Sequence, residues 1–177
     1  MIGAGVAGRS FALACASAGF HVVLEDVMPA NLRHAEVAYA DLSAATGHLE
    51  LSLTVEEAVR EADLAVDFVP DELESKLEIF SLLDRMAPPR TILCTPSETL
   101  SITDLASCVY RPERCVAVRG QLVRSGASPA AVRVLYPAAC AAATLLAVES
   151  FLRAIGTEAR MEADPDVPML VKNAPGG

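Results

Sequence analysis

The sequence predicts an α/β fold, a doubly wound, mostly parallel sheet with helices on both faces. Three observations predict it. Gly3-Ala4-Gly5-Val6-Ala7-Gly8 opens the chain as a glycine turn leading into an alanine-rich helical stretch. The apolar run Val22-Val23-Leu24 ends at Asp26, eighteen residues beyond Gly8. After it, short β-branched runs alternate with helical segments along nearly the whole chain, the order that places parallel strands between covering helices.

The elements follow in order. Residues 6–18 read as a helix closed by Gly19, and 21–25 as a strand. Residues 29–45 read as a second helix, and 49–53 as a short alternating strand. Thr54 caps a short helix ending near Ala62, with Glu57 three residues on as in a capping box. Residues 64–69 form a strand, and 71–86 an amphipathic helix with Leu73, Leu77, Phe80 and Leu83 on one face, stopped by Pro88-Pro89. A strand at 91–94, a short helix at 102–107 and a strand at 115–118 come next, then a loop by composition at 120–130. A strand at 132–136, a helix at 138–155 ended by Gly156 and a strand at 158–162 complete the pattern.

The first turn carries the functional signal. In a G-x-G-x-x-G turn, Gly3 permits the tight bend, Gly5 lets backbone approach a pyrophosphate, and Gly8 lets helix lie against strand. The helix start, with Val6 and Ala7, offers unpaired N–H groups and a positive dipole end to phosphate. Asp26 stands where a carboxylate accepts both ribose hydroxyls and repels a 2′-phosphate, so the pattern is a Rossmann-type one and NAD is expected over NADP. The competing reading is an ordinary tight turn in another α/β fold. Only Met1 and Ile2 precede Gly3, against about five or six residues in a usual strand. Either part of the first strand lies upstream of this sequence, or that strand is a stub and cofactor binding is weakened.

Composition excludes several classes. The 177 residues are 53% apolar, about one domain's worth of a globular chain. The formal charge is −9, the pI is near 4.8 and no basic run is present, so neither nucleic acid nor an anionic membrane surface is expected as a partner. The longest uncharged stretch, 134–148, falls short of the ~20 residues of a membrane span and contains Pro137. No secretory signal is visible. Five cysteines, Cys15, Cys94, Cys108, Cys115 and Cys140, lie mostly in apolar runs without CxxC or His spacing, so they read as reduced core residues of a cytoplasmic protein with no metal site.

Taken together, GAGVAGRSFALACASAGFHVVLED, DLAVDFVPDELESKLEIF, APPRTILCTPSETLSITDLA with RPERCVAV, and FLRAIGTEA resemble the NAD-binding domain of the 3-hydroxyacyl-CoA dehydrogenase family. The resemblance implies oxidation of the 3-hydroxyl of an acyl-CoA in fatty-acid metabolism, hydride passing to NAD and the hydroxyl proton to a histidine. It also implies a two-domain subunit whose helical second part builds a dimer. On that basis residues 1–163 are the NAD-binding domain, and 164–177 a tail leading toward a helical domain. A homodimer or a separate helical partner would complete the acyl-CoA pocket. The segment between Asp26 and Leu49 lacks the helical hairpin with which many members clasp CoA.

Carried over by position, Gly3, Gly5, Gly8 and Asp26 match the cofactor residues, and Asp71 and Lys76 fall where the family has an acid and a lysine near the nucleotide. Lys76 is expected either to pair with phosphate or Asp71, or to be a solvated helix charge. Val69-Pro70 would form the loop under the nicotinamide side. The catalytic positions differ. Arg119 stands at the general-base histidine and Arg133 at the acid that orients it; an arginine stays protonated and cannot accept the hydroxyl proton. Where the family reads SNTSSL, Pro96 replaces the asparagine beside the nicotinamide and Glu98 the serine that holds the substrate oxygen. Asn173 falls where the family keeps its substrate-binding asparagine, with Met169 in place of a glycine. Arg119, Arg133 and Arg124 make either an anion-binding patch, an Arg119–Glu98 pair, or surface charges on a decayed site. The two functions left open are an oxidoreductase for a 3-hydroxyacyl-CoA or small 3-hydroxy acid, and a non-catalytic NAD-binding or interaction module.

Overall fold

The structure, a computed structural model, describes residues 1–42, 46–124 and 130–165. Two β-strands, β1 (His21–Glu25) and β2 (His48–Ser52), pair in parallel. Five more, β3 (Leu64–Val66), β4 (Ile92–Pro96), β5 (Cys115–Gln121), β6 (Ala130–Tyr136) and β7 (Thr157–Ala163), form a second sheet in that order. Ile2 joins the two by bridging Glu25 on one side and Asp67 on the other, both in parallel. The spatial order is therefore β2, β1, Ile2, β3, β4, β5, β6, β7. Among the described strands, only the β5–β6 pair is antiparallel. The doubly wound, mostly parallel sheet of a Rossmann-type α/β fold is present as expected.

Helices cover both faces, and the core is divided accordingly. On one face, α1 (Val6–Ser17), α2 (Pro29–Ala40) and α6 (Ala142–Ala154) bury Phe11, Cys15, Leu32, Val148 and Leu152 against Val22, Leu24 and Val66. On the other, α3 (Val55–Val59), α4 (Leu73–Met86) and α5 (Ile102–Ala106) bury Val59, Phe80, Leu83 and Leu105 against Ala65, Leu93 and Ala117. Phe11, Phe68, Phe20 and Phe151 meet in tilted and edge-on pairs between 5.1 and 6.1 Å apart, closing α6 onto α1.

The punctuation works as the residues dictate. α1 ends at Ser17 and Gly19 follows at φ +95°. Thr54 accepts from the Glu57 amide, but Glu57 does not return the bond as a full capping box; its carboxylate takes the Ser52 hydroxyl at 3.0 Å. Several boundaries move. Helix α4 starts at Leu73, not 71, and its buried stripe is Lys76, Ile79, Phe80 and Leu83, while Leu73 is exposed. β4 runs on to Pro96, β5 to Gln121, and β3 stops at Val66. α6 begins at Ala142 because Pro137 and the turn after it precede it. The end of the expected helix at 43–45 and the middle of the expected loop, 125–129, lie outside the described residues, as do Met169 and Asn173.

Arg111 is the main structural cation. Its guanidinium pairs with Asp84 Oδ1 at 2.7 Å and donates to the carbonyls of Asp84, Ala87 and Pro88, which satisfies the open C-terminal end of α4. No helix among the described residues is long and apolar enough to cross a membrane. Cys15, Cys94 and Cys115 are buried and all five thiols are free, but Cys108 is exposed, against the expectation of a core residue. Burial raises the Cys15 and Cys94 thiols to about 12, leaving them unreactive.

Candidate functional site

The glycine turn is built as phosphate recognition requires. Gly3 has φ +94°, in the left-handed region, and a Cβ there would meet the Phe68 carbonyl oxygen at 3.2 Å. A Cβ on Gly8 would lie 1.9 Å from the Gly3 carbonyl oxygen, so helix and turn touch backbone to backbone. Gly5, the N-cap of α1, has nothing within 4 Å of its Cβ position. Its open side is the face a ligand meets, and α1 presents Val6 and Ala7 with no side-chain cap on its N–H groups. The residues fit a dinucleotide's pyrophosphate.

Asp26 is more deeply engaged than the sequence indicated. Its Oδ2 accepts from the Ala4 amide at 2.8 Å and from Asn31 Nδ2 at 3.0 Å, and its Oδ1 from the Met28 amide at 2.8 Å. Burial works to raise its pKa, but the three hydrogen bonds outweigh it and hold the carboxyl below the usual range. A carboxylate has about four lone-pair positions, so one remains for a ribose hydroxyl. Val6, Val27 and Met28 stay exposed beside it, 75%, 76% and 57%, and offer an apolar rim of the kind a nucleobase covers.

Lys76 departs from both expectations. It is 1% exposed and pairs at 2.6 Å with Asp67, itself fully buried, instead of with Asp71 or solvent. The cause is helical periodicity: Lys76 lies on the same stripe as Ile79, Phe80 and Leu83. Asp67, at the end of β3, has a raised pKa because burial outweighs the attraction of Lys76. Asp71 is exposed and accepts from the Glu98 amide at 3.0 Å, tying the loop after β3 to the loop after β4. Val69 lies in that first loop, half-buried.

The two arginines that the motif resemblance sets at the acid–base positions stand next to each other in the sheet. Arg119 and Arg133 are direct partners across the antiparallel β5–β6 ladder. Pro96, at the end of β4, pairs with Val118, immediately before Arg119. The Arg119 guanidinium does not pair with Glu98; it donates to the carbonyls of Leu100 at 2.8 Å and Ser97 at 3.3 Å. Glu98 accepts from the Gly120 amide at 2.9 Å. Arg133 reaches Glu162 at 3.4 Å. Arg119 and Arg133 thus both have internal partners, while Arg124 is exposed. His21 and His48 lie on β1 and β2 with their rings tilted and 5.4 Å apart, His21 beside Glu50. Among the described residues, no cluster of His, Cys, Asp and Glu could hold a metal ion.

A glycine turn on a central β-bridge, a helix start aimed outward and an acid after the next strand define a dinucleotide-binding domain. Comparison with known proteins gives the family. The family described as the NAD-binding domain of 3-hydroxyacyl-CoA dehydrogenase matches residues 1–119, and the chain belongs to it. A probable 3-hydroxybutyryl-CoA dehydrogenase of Bacillus subtilis is 31% identical over 131 residues, 66% of this chain and 45% of that protein. The human lambda-crystallin homolog is 32% identical over 132 residues, 66% of this chain and 41% of that protein. The crystal structure of a 3-hydroxyacyl-CoA dehydrogenase from Archaeoglobus fulgidus superposes with a TM-score of 0.78 at 27% identity, over 97% of this chain and 57% of the other. The match spans less than half the length of both curated relatives. NAD is the cofactor this domain is built for.

Proposed function

We propose that this chain is an NAD(H)-binding domain that keeps the cofactor half of its family's site without the acid–base half, so that it binds NAD(H) and does not by itself oxidise a 3-hydroxyacyl thioester. The observation that carries this is Arg119. By the motif resemblance it falls where the family keeps its general base; its guanidinium is bonded to two carbonyls, and its cross-strand partner is a second arginine. Neither side chain takes up a proton from a hydroxyl at ordinary pH. Gly3, Gly5, Val6, Ala7 and Gly8 would cradle the pyrophosphate and Asp26 the ribose. Val69, Asp71 and Pro96 border the side where a nicotinamide would lie. Bound NAD supplies hydride acceptance; what this chain adds is orientation and the exclusion of a 2′-phosphate by Asp26. Lys76 acts behind the site, through Asp67. Residues 1–163 make the domain, and 164–177 lead on toward whatever partner or helical region completes an acyl-CoA pocket.

Family membership favours a second reading, an oxidoreductase acting on a 3-hydroxyacyl-CoA or a small 3-hydroxy acid with a helical region supplied separately. Reduction of acetoacetyl-CoA by NADH separates the two. Turnover at least ~1,000-fold below a family member with its histidine and acid is expected, since general-base catalysis contributes about 10² to 10⁴-fold. Turnover near ordinary enzyme rates would sink the non-catalytic reading. Calorimetric titration is expected to show saturable NADH binding and weaker NADPH binding; no binding of either would remove the cofactor from both readings.

A further inference from the structure

Asp26 cannot serve both hydroxyls of a ribose by itself. Burial alone would raise its pKa, but the bonds from Met28, Ala4 and Asn31 bring it below its usual value, so the carboxyl is ionised and accepts at every position. Oδ2 already takes two donors, the Ala4 amide and Asn31 Nδ2, and is full. Oδ1 takes the Met28 amide and keeps one position. The adenosine ribose of NAD brings two hydroxyl donors to this place, so one of them needs a second acceptor. The nearby Ser52 and Met28 carbonyls already accept from the Asp26 and Asn31 amides.

Asn31 is placed to be that acceptor. It is the third residue of α2, the position from which a polar side chain ordinarily reaches back to the N-cap amide. Here the N-cap is Met28, and its amide is taken by Asp26 Oδ1 at 2.8 Å. The Asn31 side chain is therefore free of capping and turns to Asp26 instead. Chemistry fixes which way round it sits. Only the NH2 half of an amide can donate to an ionised carboxylate, so Nδ2 faces Asp26 Oδ2 at 3.0 Å and the carbonyl oxygen Oδ1 is turned away from it. Among the described residues that oxygen has no partner, and Asn31 is only half-buried, so a donor from a ligand can reach it. One bond thus holds a second acceptor beside the first.

We infer that Asn31 is a ribose-binding residue, its Oδ1 accepting one adenosine-ribose hydroxyl of NAD(H) while Asp26 Oδ1 accepts the other. This division of the ribose rests on the NAD(H)-binding reading proposed above. Calorimetry tests it with NADH and its two analogues lacking the 2′- or the 3′-hydroxyl of the adenosine ribose, each titrated into the parent chain and into Asn31→Ala. In the parent, loss of either hydroxyl is expected to weaken binding ~3–10-fold, the range of a single hydrogen bond. In Asn31→Ala, one analogue is expected to bind within ~2-fold of NADH, while the other stays ~3–10-fold weaker. Alanine suits a helical first turn, and the variant's unfolding midpoint is expected within ~5 °C of the parent's. An Asn31 that merely braced Asp26 would weaken all three ligands by one common factor and leave both ratios at their parent values, which would overturn the inference. Indifference of the parent to the loss of either hydroxyl would overturn it too. A second readout needs no variant: the Asn31 side-chain carbonyl carbon resonance of the parent is expected to move on addition of NADH and to move less with one of the analogues. An unmoved resonance in saturating NADH decides against Asn31 even if Asn31→Ala does not fold. Binding of NADH with unchanged analogue ratios removes this inference alone, whereas no binding of NADH by the parent removes the cofactor reading and this inference with it.

Discussion

Two adjacent glycine substitutions separate folding from cofactor recognition. Gly8→Ala places a methyl 1.9 Å from the Gly3 carbonyl oxygen, more than 1 Å inside any tolerable contact, and the obstacle is backbone on both sides. Forcing apart packed atoms costs about 1–3 kcal/mol, occasionally more. At roughly 2–4 °C per kcal/mol for a chain of this size, the midpoint should fall by about 2–12 °C. Gly5→Ala meets nothing within 4 Å and its φ of −59° suits alanine, so only the weaker capping of α1 is lost. That loss is under about 1 kcal/mol, a midpoint change below ~4 °C. The same methyl stands on the open side where a pyrophosphate would approach, and NADH affinity should drop at least ~10-fold, which corresponds to about 1.4 kcal/mol. Thermal melting and NADH calorimetry on both variants make the comparison. A folded Gly5→Ala variant that binds NADH as tightly as the parent would refute the phosphate cradle. A Gly8→Ala variant of undiminished stability would refute the backbone contact.

Lys76→Met strands the Asp67 carboxylate and should cost about 3–5 kcal/mol near neutral pH. Because burial already raises the Asp67 pKa, its folded form favours the proton. The stability of the variant should therefore be highest at low pH and fall as pH rises through the folded pKa, and equal losses at pH 5 and pH 8 would contradict this. Asp26 has the opposite sign: its lowered pKa stabilises the fold above the unfolded value of 3.8, a contribution lost as pH falls through the folded value. Asp26→Asn should flatten the acid limb of a melting-against-pH curve relative to the parent. Arg119→His alone should not restore acetoacetyl-CoA reduction, since Arg133 opposite leaves the imidazole without an orienting acid. Recovery by that single change would show that Arg133 does not occupy the acid's position.

The fold was legible because its signals are local and repeated. Alternating runs and glycine punctuation located the seven strands and six α-helices of the described residues, with ends off by a few residues where pairing decides the boundary. Pro96 and Gln121 belong to strands because neighbours hold them there, which no local propensity reveals. The short 3₁₀ turn at Pro112–Arg114 was not foreseen. The cofactor turn was readable from glycine spacing; the partners of Asp26 were not, although Asn31 in the first turn of α2, five residues on, was a weak clue. Lys76 was expected at phosphate, at Asp71 or in water, and neither reading used the stripe Lys76, Ile79, Phe80, Leu83, which puts it inside. Arg119 and Arg133 were singled out by the motifs, but their carbonyl and Glu162 partners needed three dimensions.

The carboxylate of Asp26 serves three masters before any ligand arrives: it pins the glycine turn through Ala4, the chain reversal through Met28 and the first turn of α2 through Asn31. Cofactor preference in such a domain cannot drift by a single step. A change that welcomed a 2′-phosphate would also loosen three segments of chain, so any lineage switching toward NADP would first have to brace the turn and the helix by other means. Fidelity to one nucleotide is here a by-product of architecture.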